Sequence, residues 1–169
     1  MIEYHPFEPI VFEDSKILVL GSFPSFDSFK NSFYYGHKHN QFWRLLADIF
    51  NDIVPNNIEE KIIFLKKHKI ALWDMVKSCK RESSLDSTLK HIEINDIETF
   101  LKENPSIEKI YFTGRKSQEL FEKNFSHLNI KRYYLPSPSP AYRKLRYEEK
   151  LKIWRKLIKL GYEKSTDEK

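Results

Sequence analysis

Cysteine is almost missing from this chain, with Cys79 the one such residue among 169. A single thiol excludes an internal disulfide, a four-cysteine iron–sulfur cluster and a zinc site built mainly on thiolates, and it reads as a packed residue rather than a nucleophile. Glycine is scarce too, at four, and none falls in the spacings that cradle phosphate in nucleotide and dinucleotide sites. No apolar run approaches the roughly 20 residues of a membrane span. The first residues, Met1 to His5, lack the basic-then-apolar order of a secretory signal, so the expectation is a cytoplasmic, nucleoid-associated protein with no membrane contact. Acidic residues thin out toward the end: from Lys131 to Leu160, two Glu stand against ten Lys or Arg. Clustered positive charge attracts a phosphate backbone without regard to sequence, although a solvated lysine-rich face has the same composition.

What is present suits one domain over residues 1–169, with 40% hydrophobic and 15% aromatic content to fill a core. Residues 1–15 read as an irregular lead-in without clear chemistry, and 161–169 as a frayed tail. Lys16 to Leu20 is a continuous apolar run ended by Gly21, the pattern of a strand buried on both faces. Ile70 to Trp73, Ile107 to Phe112 and Ile130 to Leu135 repeat it. Helical stripes separate these strands: Phe42, Leu45, Leu46 and Ile49; then Ile58, Ile62 and Leu65 behind an Asn57/Glu60 capping pattern; then Ile97, Phe100 and Leu101 after Asn95; then Leu120, Phe121 and Phe125. A final helix spans about Tyr147 to Leu160, and Lys77 to His91 reads as a polar loop with a helical turn. Strand alternating with helix predicts an α/β fold, a three-layer α/β/α sandwich around a four-stranded, mainly parallel sheet. Ligands of such sheets bind beyond the carboxyl ends of the strands. That rule gathers Gly21 to Ser25, Asp74, Thr113-Gly114 and Pro136 to Ala141 into one place.

Each candidate there has a plain structural reading. The turn Gly21-Ser22-Phe23-Pro24-Ser25 is a strand exit in which no serine occupies a nucleophile elbow. Asn40 stands where a helix cap would. Tyr34 and Tyr35 suit a core. His37 and His39 have no third metal ligand at useful spacing, and no metal is expected. Pro136-Ser137-Pro138-Ser139-Pro140 is a rigid loop, and beside Arg143, Lys144 and Arg146 it would also suit a DNA phosphate.

Taken together and in order, these segments resemble the uracil-DNA glycosylase superfamily, most closely its hypoxanthine-DNA glycosylase branch, with the mismatch-specific uracil/thymine glycosylases a step further away. Gly21-Ser22-Phe23-Pro24-Ser25 resembles the first superfamily motif and Leu135-Pro136-Ser137-Pro138-Ser139-Pro140 the second. Tyr35-Gly36-His37-Lys38-His39-Asn40-Gln41-Phe42-Trp43 is similar to the Phe-Ala-His-Pro-x-Asn-x-Phe-Trp stretch of the mismatch-specific enzymes, and Leu72-Trp73-Asp74-Met75-Val76-Lys77 to their Ile-Thr-Asp-Leu-Val-Lys. Two departures stand out. Most members carry Asp or Asn at the third position of the first motif, to handle the attacking water, and this chain has Phe23. Many begin the second motif with a histidine that stabilises the leaving base, and here the residue is Leu135. The hypoxanthine branch shares both losses, and its catalytic asparagine matches Asn40.

The resemblance implies a monofunctional, cofactor-independent glycosylase that flips a deaminated base, hypoxanthine or uracil, out of DNA. Asn40 would be catalytic, either as a side-chain donor or by holding a water through its carbonyl. Ser22 and Phe23 would offer backbone donors to the base, Tyr35 a stacking surface, and Asp74 an acceptor for N1–H of hypoxanthine or merely an ordered turn. Ser25, Ser137 and Ser139 would hold phosphate; Pro140, Ala141 or Tyr142 would wedge the stack, with Arg143 adding charge. A monomer without an obligate protein partner is expected. The rival readings are a DNA-binding or interaction module without turnover and a nuclease or nucleotide hydrolase on an α/β scaffold; the latter needs clustered carboxylates for metal, and the sequence offers only Asp74 near the strand ends.

Overall fold

The apolar run after Lys16 forms a strand, Ile17–Gly21, whose five residues are all buried. The computed structural model describes residues 1–31 and 33–163. Its strands are β1 (Glu3–Tyr4), β2 (Ile17–Gly21), β3 (Ile70–Asp74), β4 (Val76–Lys80), β5 (Lys90–Ile94), β6 (Lys109–Thr113) and β7 (Lys131–Leu135). The helices are α1 (Phe26–Asn31), α2 (Phe42–Phe50), α3 (Ile58–Lys67), α4 (Ile97–Glu103), α5 (Arg115–Phe125) and α6 (Tyr147–Leu160).

The main sheet runs β3-β2-β6-β7, and every pairing in it is parallel. Successive side chains of a strand point to opposite faces, and β2 divides its residues accordingly. Ile17 and Val19 join a core with Leu45, Phe64 and Trp154 from α2, α3 and α6. Leu18 and Leu20 join the opposite core with Phe100 and Phe121 from α4 and α5. The three-layer α/β/α arrangement with a four-stranded sheet follows, and it aligns the ends of β2, β3, β6 and β7 along one edge.

The capping pattern at Asn57 is present, its Oδ1 accepting from Glu60 N at 2.8 Å. Asn95 behaves differently. Asp96 caps α4 through Thr99 N, while Asn95 Nδ2 donates to Asp74 O at 2.8 Å, bracing the end of β3.

The other differences concern segments that read as loop. Residues 77–91 are largely a hairpin: β4 and β5 pair antiparallel, and β1 pairs with β4 to complete a second, three-stranded sheet. The helical turn expected there is the 3-10 turn Asp86–Thr88. Cys79 is fully buried within β4, in keeping with a packed role. The lead-in is therefore tied down, by β1 and by a bridge from Ile10 to Leu72. The start of the tail is packed as well. A Cβ on Gly161 would lie 2.7 Å from Ile17 Cγ2, and the Tyr162 hydroxyl donates to His68 O at 2.6 Å; residues 164–169 lie outside the described residues.

Candidate active site

The exit of β2 can approach β3 closely because residue 21 is glycine. A Cβ there would stand 2.5 Å from Asp74 Oδ1 and 3.2 Å from the Tyr35 hydroxyl. The turn that follows is held by Met75 N donating to Gly21 O and Val76 N to Ser22 O. Among the described residues the N–H groups of Ser22 and Phe23 have no acceptor, which leaves two adjacent backbone donors at the strand end. Around this turn opens a cavity of about 680 Å³ whose lining includes Ser22, Phe23, Tyr35, Asn40, Asp74, Thr113 and Gly114, and the loop from Ser137 to Tyr142. Every segment gathered by the strand-end rule reaches it.

Tyr35 holds left-handed backbone at φ 54°, a costly conformation for an aromatic residue that surrounding structure must enforce. Its ring lies on Phe42 with centroids 3.8 Å apart and planes within 8°, and its hydroxyl bonds Thr113 Oγ1 at 2.8 Å. Burial, reinforced by the charge of Asp74, holds that hydroxyl well above the usual phenol range. Tyr35 is a neutral plate held by both its ring and its hydroxyl. Tyr34, by contrast, is core: it is 2% exposed and donates its hydroxyl proton to Glu8 O.

Gln41, not Asn40, is the N-cap residue of α2; Asn40 stands one position earlier, its Oδ1 accepting from Phe42 N at 2.9 Å, and its Nδ2 is left as a donor without an acceptor among the described residues. Asp74 is 4% exposed. Its Oδ2 accepts from His5 Nε2 at 2.7 Å, and His5 is itself seated by Nδ1 against the backbone of Phe7. Asp74 Oδ1 is unshared among the described residues. The lead-in thus contributes a histidine to the site, which no local pattern around His5 announces.

Asp86 is a second such residue. It comes from the 3-10 turn between β4 and β5, lines the cavity and accepts from Ser22 Oγ through Oδ1. Burial and the nearby Asp74 raise its pKa, against the opposing effect of the Ser22 bond. Asp74 is therefore not the lone carboxylate at the strand ends. Among the described residues, however, no group of three His, Cys, Asp or Glu could hold a metal ion. His37 and His39 lie with rings 5.7 Å apart.

The proline-rich loop is pinned from behind. Trp154 Nε1 donates to Pro136 O at 2.9 Å, Gln41 N to Pro138 O at 2.9 Å, and buried Lys150 holds the Gln41 side chain at 2.7 Å. Ser137 Oγ accepts Ser139 N and Ser139 Oγ accepts Ala141 N, so both hydroxyl protons remain to be given outward. Pro140 and Ala141 are exposed at the tip, whereas Tyr142 is half-buried with Lys150 Nζ 5.3 Å from its ring. Arg143 is exposed and outside the cavity lining. Ser25 lines the cavity and gives its hydroxyl to Ser28 at the head of α1. Phe23 is 8% exposed, packed edge-on to His5, and Leu135 is wholly buried; neither offers a polar group.

A family model described as the uracil DNA glycosylase superfamily matches residues 9–158. The chain belongs to the uracil DNA glycosylase superfamily. Among its superfamily relatives, a hypoxanthine DNA glycosylase from Methanosarcina barkeri is 40% identical over 114 residues, covering 67% of this chain and 72% of the relative. A hypoxanthine DNA glycosylase from Methanosarcina acetivorans is 36% identical over 139 residues, 82% of this chain and 87% of the relative. The solution NMR structure of a candidate uracil DNA glycosylase from Methanosarcina acetivorans superposes with a TM-score of 0.82 at 32% identity, covering 96% of this chain and all of that one. The two loops that resemble the superfamily's motifs both border the cavity, and the α/β/α layering is shared with that structure.

Proposed function

We propose that this superfamily member is a monofunctional DNA glycosylase that removes hypoxanthine, and less readily uracil, from DNA. The observation that carries the reading is Asn40: it lines the strand-end cavity with its carbonyl already accepting from Phe42 N, which favours its Nδ2 as the group offered to a base. The family membership and two relatives named hypoxanthine DNA glycosylases support the choice of base.

Extracting a base from the stack costs a few kcal/mol. Stacking on Tyr35 returns roughly 1 to 3 kcal/mol, while Pro140 and Ala141 fill the vacated space and Ser137 and Ser139 donate to flanking phosphate. Cleavage puts negative charge on the departing purine and positive charge on the sugar. The backbone N–H groups of Ser22 and Phe23 meet the base oxygen, and Asn40 Nδ2 donates to a ring nitrogen; fixed donors aimed at developing charge lower the barrier most. Asp74 Oδ1 accepts from N1–H of hypoxanthine. Adenine presents a lone pair at N1, so the same carboxylate repels it and spares the normal base.

Purified protein incubated with duplexes carrying one deoxyinosine or one deoxyuridine produces alkali-labile sites at that position, faster for deoxyinosine, with no strand break before alkali. Binding without cleavage across a panel of deaminated bases would overturn the enzymatic reading.

A further inference from the structure

The turn after β2 presents Phe23 to the cavity, and a hydrocarbon ring can neither orient nor deprotonate water. A carboxylate reaches that turn from another part of the chain. Asp86 is bonded to Ser22 Oγ, the residue immediately before Phe23. Its second oxygen has no partner among the described residues. That oxygen and Ser137 Cβ lie 4.0 and 3.7 Å from the point where Gly114 would carry a Cβ, so Asp86 borders the phosphate-gripping loop as well as the turn.

The placement is firm. Arg81 is bonded to Glu3 and to Pro24 O, Ser84 Oγ accepts Phe26 N, and Thr88 Oγ1 donates to Ser83 O and Leu85 O. The Asp86 side chain makes no hydrogen bond within its own turn, so local structure does not require an aspartate there. Half-buried on the cavity wall and facing Asp74, it is a carboxylate in the kind of environment that functional groups occupy.

We propose that Asp86 is the base that activates the hydrolytic water, replacing from a different loop the polar group absent at Phe23. The inference rests on the glycosylase reading above. As the C1′–N9 bond breaks, its electron pair leaves with the purine; water oxygen bonds C1′ and its proton passes to Asp86 Oδ2. Asp86 then releases that proton to solvent or to the departing base, giving neutral hypoxanthine and an abasic sugar. The groups facing Asp86 are Asp74 from the end of β3, Tyr35, Lys116 on α5 and Arg81 after β4. Burial and Asp74 raise its proton affinity, and the two cations temper the rise. A carboxylate so tuned is a better base than a free aspartate, provided the pH keeps it ionised.

The test compares wild type, Asp86→Asn and Asp86→Ala in single-turnover cleavage of a deoxyinosine duplex. Asparagine still accepts from Ser22 Oγ, so the turn is preserved. Expected is a 10²- to 10⁴-fold slower cleavage in Asp86→Asn, about the size of a lost general base. Affinity for a duplex bearing a non-cleavable 2′-fluoro deoxyinosine stays unchanged. The wild-type rate climbs with pH to a plateau, Asp86→Asn loses that limb, and added formate restores part of the rate of Asp86→Ala. A near-wild-type rate in Asp86→Asn, or slow variants that keep the pH limb and ignore formate, would overturn the assignment. Failure of wild type to cleave any deaminated duplex strikes the glycosylase reading itself, and this inference falls with it.

Discussion

In the proposed mechanism Asn40 has two jobs, one for each amide atom, and substitution can separate them. Aspartate keeps an acceptor for Phe42 N and suits a helix N-terminus, but it has no N–H to give. Asn40→Asp is expected to melt with wild type while cleaving deoxyinosine 10²- to 10³-fold more slowly, about the cost of one missing donor to a developing anion. Asn40→Ala loses the rate and also about 1 kcal/mol of stability with the bond to Phe42 N; thermal denaturation beside single-turnover kinetics reads both. Asp86 runs the other way. Its raised pKa means the native chain holds a proton that the unfolded chain has released, so stability falls as pH rises from the ordinary aspartate value through the raised one. Above that window the cost is complete. Asp86→Asn removes it, so the variant melts higher than wild type at neutral pH and the gap closes in acid. A gap that persists in acid would contradict the linkage. That Asn40 satisfies an amide at the head of α2 was legible from its place before an amphipathic stripe, although the N-cap position itself falls to Gln41. His5 and Asp86 were not, because their partners stand 69 and 64 residues away in the chain and no local period records such a contact.

Elements were legible where burial imposes a period. β2, β3 and β6 are apolar runs because they are covered on both faces, and α2 and α6 show stripes because they are covered on one. The second sheet escaped notice for the opposite reason. β5 is half-covered or exposed along its length, β4 mixes Ser and Cys with Lys, and their pairing shifts register twice. That obscure sheet carries both ends of the missed chemistry, His5 after β1 and Asp86 between β4 and β5. The proline-rich loop shows the same division: its rigidity is written in its prolines, its anchors are not. Trp154→Phe keeps the ring but removes the donor to Pro136 O, leaving a buried carbonyl unpaired. Expected are a loss of about 1 to 3 kcal/mol in denaturant unfolding and weaker binding to a 2′-fluoro deoxyinosine duplex.

At the scale of the whole molecule, the basic excess from Lys131 to Leu160 flanks in sequence the loop proposed to hold DNA. Arg143 and Lys144 are exposed there. Arg143→Ala and Lys144→Ala should each flatten the slope of log affinity against log salt by about 1, equally for damaged and undamaged duplexes, and leave cleavage of bound substrate unaltered. A variant that changed the choice of base instead would show that these charges read the lesion. The rigid back of the site also has a consequence for time. Trp154 packs edge-on against Phe42 at 6.0 Å and anchors Pro136, while Phe42 carries Tyr35. Plate and wedge are thus braced against one indole. In the proposed mechanism seating of the lesion and closure of the gap it leaves are therefore expected as a single event, visible in stopped-flow fluorescence of a neighbouring 2-aminopurine as one phase without an intermediate.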